Sequence, residues 1–261
     1  MNANLSFDIK LIEKLSCPYH LGSDLTFDRE HLVCVICNRK FPIFSRIPYI
    51  LPDDMLDKYK NGNFQEFVNS WKPGERTWNP VGCTKLMTTS KSVDNQTKKY
   101  SLDIGCGENA QGEVNIDVYV PKIIPNNFIV ASAEYLPFKD NVFPSVKSSY
   151  VIEHTLEPAQ FINNQARIAT EEILIVTDNS EWIGDVYFRM INMGRIFHDE
   201  HFYRWTVEYL GNLIRRLGLK VDVYCANCSP TKIVRLFSQL GKIPRIGNFF
   251  YRDLIAKIEL Q

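Results

Sequence analysis

The chain has 261 residues, 45% hydrophobic, 12% aromatic and 23% charged, with 30 basic side chains against 30 acidic ones. These values exclude a collagen-like, low-complexity or disordered chain, and the zero balance argues against a surface that is basic all round. No apolar run reaches the roughly 18–20 residues of a membrane span. The N-terminal Met1-Asn-Ala-Asn-Leu-Ser-Phe-Asp8 lacks the basic and apolar parts of a secretion signal, so a soluble cytoplasmic protein with no membrane partner is expected.

The first features along the chain are cysteines. Cys17-Pro-Tyr-His20 and Cys34-Val-Ile-Cys37 are two ligand pairs, each with two residues between its members and 13 residues between the pairs. Three thiolates and an imidazole on two tight turns suit a closed, tetrahedral, structural zinc site. Leu25, Phe27, Leu32, Val33 and Val35 between them read as the strands of a ribbon hairpin. With Cys83, Cys106, Cys225 and Cys228 the cysteine count is seven, which disfavours a disulfide framework. Cys225-Ala-Asn-Cys228 has no second ligand pair beside it and reads as two unligated thiols.

Leu15-Ser-Cys17-Pro-Tyr-His20, Leu32-Val-Cys34-Val-Ile-Cys37-Asn-Arg-Lys-Phe41-Pro-Ile43 and Arg46-Ile-Pro-Tyr-Ile-Leu51 resemble the small zinc-ribbon family typified by the activator subunit of tRNA and protein methyltransferases. Similar ribbons occur in bacterial rRNA guanine methyltransferases. His20 stands where the activator family usually has Cys. The resemblance implies a ribbon domain over residues 1–52, with the Phe-Pro-Ile and Ile-Pro-Tyr-Ile-Leu segments returning as a strand along it.

Residues 53–98 form a polar connector with an aromatic stripe, in which Phe64, Phe67, Val68 and Trp71 have amphipathic helical spacing. From Tyr100 onward strand and helix signals alternate, as in an α/β domain with a mostly parallel sheet. Strands are expected at 101–105, 114–118, 128–131, 146–152, 173–177 and 219–225, and a last one around 249–258. A helix opens at Glu157-Pro158, and Thr206 caps another that Gly218 ends.

Leu102-Asp103-Ile104-Gly105-Cys106-Gly107 puts an acid and two glycines where the first of these strands ends, and Asp117 closes the second, where a carboxylate can accept ribose hydroxyls. Only eight residues separate Gly105 from Val114, too few for a helical crossover of about 10–12. The compressed loop suits S-adenosylmethionine better than a dinucleotide.

Together with Ala131-Ser-Ala-Glu134-Tyr-Leu-Pro-Phe-Lys-Asp140 and Tyr150-Val-Ile-Glu153-His154, these segments resemble class I S-adenosylmethionine-dependent methyltransferases over about residues 100–225. The resemblance implies a doubly wound, mostly parallel, seven-stranded Rossmann-like sheet in residues 99–261. It implies that Asp103, Gly105 and Gly107 cradle the amino-acid end of the cofactor and that Asp117 holds its ribose. Ser132, Ala133 and Glu134 would border the adenine, and Tyr150 would lie beneath the reacting methyl. Asn109 and Ser132 depart from the usual glycine and acid.

In-line methyl transfer asks the protein to align an acceptor and, where needed, to take its proton. His154 is the candidate base, with His198 and His201 in the connection after the fifth strand. No Asp/Asn-Pro-Pro-aromatic segment or Pro-Cys nucleophile follows the fourth strand, which disfavours adenine-amine and cytosine-C5 chemistry. Residues 189–261 carry 12 Lys or Arg against 6 Asp or Glu, a net +6 that leaves −6 on residues 1–188. That tail could meet RNA or simply be a solvated face. The expected function is methyl transfer to an RNA or small-molecule acceptor; the alternative is a non-catalytic zinc-ribbon adaptor or activator on a methyltransferase-like scaffold.

Overall fold

A computed structural model describes residues 8–58, 99–183, 201–228 and 247–260. Most of the expected connector, including the amphipathic stretch from Phe64 to Trp71, lies outside the described residues, as do His198 and Cys83.

The N-terminal region is a run of short antiparallel strands. β1 (Leu25–Asp28) and β2 (His31–Cys34) pair as a hairpin, β3 (Lys40–Phe44) pairs with β2, and β4 (Ile47–Ile50) pairs with β3. Ser45 and Arg46, at φ 49° and 73°, make the left-handed two-residue turn whose twist matches the flanking strands. All four residues of β4 are buried, which one hairpin edge cannot explain. The other edge of β4 pairs in parallel with β7 (Phe128–Ala131), through Tyr49↔Val130 and Ile50↔Ala131. The Ile-Pro-Tyr-Ile segment therefore returns along the ribbon as expected and also joins the ribbon to the main sheet.

The other strands of that sheet are β5 (Tyr100–Ile104), β6 (Gly112–Asp117), β8 (Phe143–Ser149), β9 (Ala169–Asp178), β10 (Val221–Cys228) and β11 (Tyr251–Glu259). Among the described residues eleven strands form one sheet in the order β1-β2-β3-β4-β7-β6-β5-β8-β9-β11-β10. From β7 to β9 the pairing is parallel, and β11 runs antiparallel to both neighbours. The last seven strands in that order, from β7 to β10, are the doubly wound α/β sheet the sequence predicts. Several strand boundaries differ from expectation, two of them at 3-10 turns. β8 stops at Ser149, because Tyr150 takes φ 55° and residues 152–154 coil into a 3-10 turn. β11 starts at Tyr251, after a second 3-10 turn.

Beyond α1 (Asp53–Lys58) the described helices are α2 (Pro158–Ile168) and α3 (Val207–Arg216). α3 begins as expected: the Thr206 hydroxyl accepts from the Tyr209 N–H at 3.2 Å, and Gly218 at φ 81° terminates it. Phe161, Ile162 and Ile168 of α2 and Leu210 and Ile214 of α3 pack with Ile173 and Ile175 of β9 and with Leu254, Ala256 and Ile258 of β11. The links β5–β6, β6–β7 and β7–β8 carry no helix. On β7, Phe128 and Val130 pack instead with Tyr49 and Leu51 and with Leu56 of α1.

The ribbon and the sheet share one core, in which Leu15, Cys17, Leu32, Cys34 and Phe41 belong with Leu102, Ile104 and Phe138. A second seam reinforces it: Ser16 N–H donates to the Pro137 carbonyl and Lys139 N–H to that of Lys14, both at 2.9 Å. Lys139 also pairs with Asp24. Phe138 is fully buried between the two parts and meets the Phe143 ring edge-on at 4.9 Å. Phe138→Ala is expected to lower stability by about 3–5 kcal/mol in a single transition by both circular dichroism and tryptophan fluorescence; two transitions would show that ribbon and sheet unfold separately.

Candidate functional site

Two side-chain constellations and one backbone turn carry chemistry. The first brings Cys17, His20, Cys34 and Cys37 together, their ligand atoms all within 4.8 Å of one another. Cys17 Sγ lies 3.9 Å from Cys37 Sγ and 4.0 Å from His20 Nδ1. Four ligands about 2.3 Å from a tetrahedral zinc would sit about 3.8 Å apart, so the cluster has the dimensions of such a site, with His20 offering Nδ1. Backbone donors support it. His20 N–H donates to the Cys17 carbonyl and Asn38 N–H to that of Cys34, with Asn38 at φ 57° closing the second turn. Burial and the neighbouring Cys34 push the Cys17 thiol up to about 12. Burial also acts upward on Cys34, but the amide N–H groups of Cys37 and Ile36 and the Ser23 hydroxyl outweigh it and bring that thiol down to about 6.

The backbone turn follows β5. Gly105 and Gly107 sit at φ 66° and 52°, where side chains other than glycine are strained. A Cβ on Gly105 would lie 2.3 Å from Val151 Cγ2, so the turn rests directly on the chain leaving β8. Asp117, buried at the end of β6, grips the turn: its Oδ2 accepts from Gly107 N–H at 2.9 Å and its Oδ1 from Tyr119 N–H at 3.2 Å. Burial raises the Asp117 carboxyl to about 6, against the pull of these N–H groups.

Asp103 points elsewhere. Its Oδ2 accepts from Gln111 N–H at 2.8 Å, and its neighbour across the parallel pair β5–β8 is Lys147, whose Nζ donates to Gln111 Oε1. Burial raises the Asp103 carboxyl, with Lys147 opposing, and lowers Lys147. Asp103 therefore holds the return of the loop to β6. Sequence reasoning missed this trio and also Gly112, where a Cβ would fall 2.2 Å from the Val114 carbonyl; the signal available was a glycine directly before an alternating strand.

The other expected cofactor residues lie along the same strand ends. Ser132 is buried after β7, its hydroxyl accepting from Glu134 N–H. The Glu134 carboxylate accepts from Leu156 N–H at 2.6 Å and Glu157 N–H at 3.3 Å, so it caps α2, whose own N-cap side chain does not. Tyr150, in its left-handed conformation, donates its backbone N–H to the Val176 carbonyl and lies under the Arg252 guanidinium.

The second constellation is Glu153, His154 and His201, whose ligand atoms also lie within 4.8 Å of one another. The two imidazoles meet edge to face at 4.6 Å. Thr177 donates its hydroxyl to Glu153 Oε2 at 3.0 Å. Burial, with Asp178 nearby, raises the Glu153 carboxyl to about 8. Cys225 and Cys228 lie on the extended strand β10 rather than in a ligand-bearing turn, and burial raises the Cys225 thiol to about 12.

Residues 102–175 match a family model described as a methyltransferase domain. The stretch runs from inside β5, through the glycine turn, to β9. No curated protein matches the chain. Similar solved structures include a SAM-dependent methyltransferase from Archaeoglobus fulgidus, at 17% identity over 60% of this chain and 84% of that one, with a TM-score of 0.43. Another, from Thermotoga maritima, is 12% identical over 80% and 99%, with a TM-score of 0.46. A Haloferax volcanii complex of a methyltransferase activator with a methyltransferase is 11% identical over 79% and 96%, with a TM-score of 0.43.

Two predictions follow from the turn and its acid. Gly105→Ala is expected to cost about 1–3 kcal/mol in urea unfolding, and adding Val151→Ala should recover part of it; no recovery would mean that φ strain alone is responsible. A carboxyl whose folded pKa exceeds its unfolded value binds its proton more tightly in the folded state, so the stability it supports is present at low pH and lost as pH rises. Between about pH 4 and 6 the ligand-free protein should lose stability through Asp117 with a slope approaching 1.4 kcal/mol per pH unit. Asp117→Asn should remove that share of the slope.

Proposed function

We propose that the chain is an S-adenosylmethionine-dependent methyltransferase acting on an RNA or small-molecule acceptor, with zinc in its ribbon. The observation that carries this reading is the left-handed Gly105–Gly107 turn pinned by Asp117 at the strand ends of a methyltransferase domain. We divide the chain into a ribbon at 1–52, a connector at 53–98 and the methyltransferase domain at 99–261. The described parts of the first and last are continuous through β4 and β7.

The donor set fits the cofactor. When bound, its sulfonium supplies an activated methyl group. Gly105 and Gly107 let the backbone approach the amino-acid end, and Asp103 fixes the loop that carries them. The Asp117 carboxylate would accept the ribose hydroxyls, while Ser132, Ala133 and Glu134 line the adenine side. Tyr150 and His154 stand on the acceptor side, His154 as the imidazole able to hold or move a proton. In the ribbon, Cys17, His20 Nδ1, Cys34 and Cys37 would hold zinc, which supplies structure and no open position. No described helix is long and apolar enough to cross a membrane.

Calorimetry should detect S-adenosylmethionine binding, weakened at least about tenfold in Asp117→Ala, the loss expected for a hydrogen bond to a charged group. No binding by the unmodified protein would overturn the reading in favour of the non-catalytic adaptor. Labelled methyl transfer to separate RNA, protein and metabolite pools then identifies the acceptor. Zinc should be near one per chain and fall in Cys34→Ser and Cys37→Ser, with Tm lowered on the order of 10 °C because ligands and sheet share a core.

A further inference from the structure

The geometry points to a second metal site, outside the ribbon: a divalent first-row transition-metal ion held by Glu153 Oε1 and one ring nitrogen each of His154 and His201. One carboxylate oxygen of Glu153 and one ring nitrogen of each histidine already lie within 4.8 Å of one another. Around one ion, nitrogen and oxygen ligands at about 2.1 Å are at most about 4.2 Å apart, so the cluster stands close to the spacing an ion requires.

Independent of that proximity, Glu153 Oε1 is buried and has no hydrogen-bond partner among the described residues, in a side chain only 1% exposed. A buried carboxylate oxygen left unpaired is costly, and a cation beside it removes the cost. Its sister oxygen is oriented by the Thr177 hydroxyl at 3.0 Å, the kind of outer hydrogen bond that fixes a ligating carboxylate. His201 is brought in from 47 residues beyond His154 and anchored. Phe202 N–H donates to the Glu153 carbonyl at 2.8 Å, and Tyr203 donates its hydroxyl to the Leu156 carbonyl at 3.0 Å.

Two imidazoles and one carboxylate form a borderline donor set suited to iron, cobalt, nickel or zinc, and three protein ligands leave coordination positions open to water or to an acceptor oxygen. The site adjoins the cofactor turn, since Val151, two residues before Glu153, is the residue on which Gly105 rests. With the ion bound, His154 is a ligand and not a base. The inference goes beyond the cofactor reading and stands whether or not a methyl donor binds, because its readout is the metal.

The test titrates cobalt(II) into the full chain carrying one equivalent of zinc, which the thiolate-rich ribbon retains. One further equivalent should bind, giving ligand-field absorption without a thiolate-to-cobalt charge-transfer band. His201→Ala and Glu153→Gln should each weaken it at least about tenfold, while His31→Ala, on the ribbon strand β2, leaves it unchanged. Melting in metal-free buffer shows that each variant is folded. Absence of cobalt beyond the ribbon, a thiolate band on the second equivalent, or full affinity in a folded His201→Ala would overturn the proposal and leave the histidine pair as ring packing.

Discussion

The parallel pairing of β4 with β7 is the interaction on which the rest of the structure depends. A sheet built from parallel strands needs both faces covered and its edges paired or protected. Here the links between β5, β6, β7 and β8 carry no helix, so the chain supplies cover from its own start. β4 closes the edge of β7, α1 packs over Phe128 and Val130, and the segment around Leu15 seals the turn at Phe138. The metal-ligand cluster is thereby drawn into the main core: Cys17 and Cys34 are buried among the same residues that bury Leu102 and Ile104. Whatever holds the four ribbon ligands together also holds the edge of the cofactor sheet.

A second constraint is the handling of buried charge at the strand ends. Asp103 and Lys147 face each other across β5 and β8 with Gln111 between them, while Asp117 spends its carboxylate on two backbone N–H groups. A longer loop would place a helix N-terminus after the glycines, and its dipole would share in stabilising an anionic ligand group. Without that helix the turn relies on left-handed glycines and one acid, which concentrates its geometry on Gly105, Gly107 and Asp117.

Much of this was legible from residue types at short spacing. The two ligand pairs of the ribbon, the glycine turn, the acid at the end of β6, the Thr206 cap and the order of strands are local patterns, and the chain keeps them. What escaped was set through space. The destination of β4 depends on an open edge about 80 positions further on. The Asp103–Gln111–Lys147 trio joins three elements, and the meeting of His201 with Glu153 and His154 depends on residues 201–203 lying against the 3-10 turn. The capping of α2 by Glu134 is of the same kind: a carboxylate from the loop after β7 replaces the side chain a local cap would provide. The end of β8 was misjudged because Val151 and Ile152 look like strand residues, whereas the left-handed Tyr150 is imposed by packing.

The order in which the chain is synthesised gives the β4–β7 seam a further meaning. Tyr49 leaves the ribosome 81 positions ahead of its partner Val130. At about 5–20 residues per second, β4 waits roughly 4–16 s with an apolar edge open before the strand that covers it exists. During that interval the antiparallel contact with β3 and the closure of Cys17, His20, Cys34 and Cys37 around an ion are the devices available to keep the ribbon folded. With zinc in the ribbon as proposed, metal supply at the moment of synthesis would bear on how much of the chain reaches the native sheet.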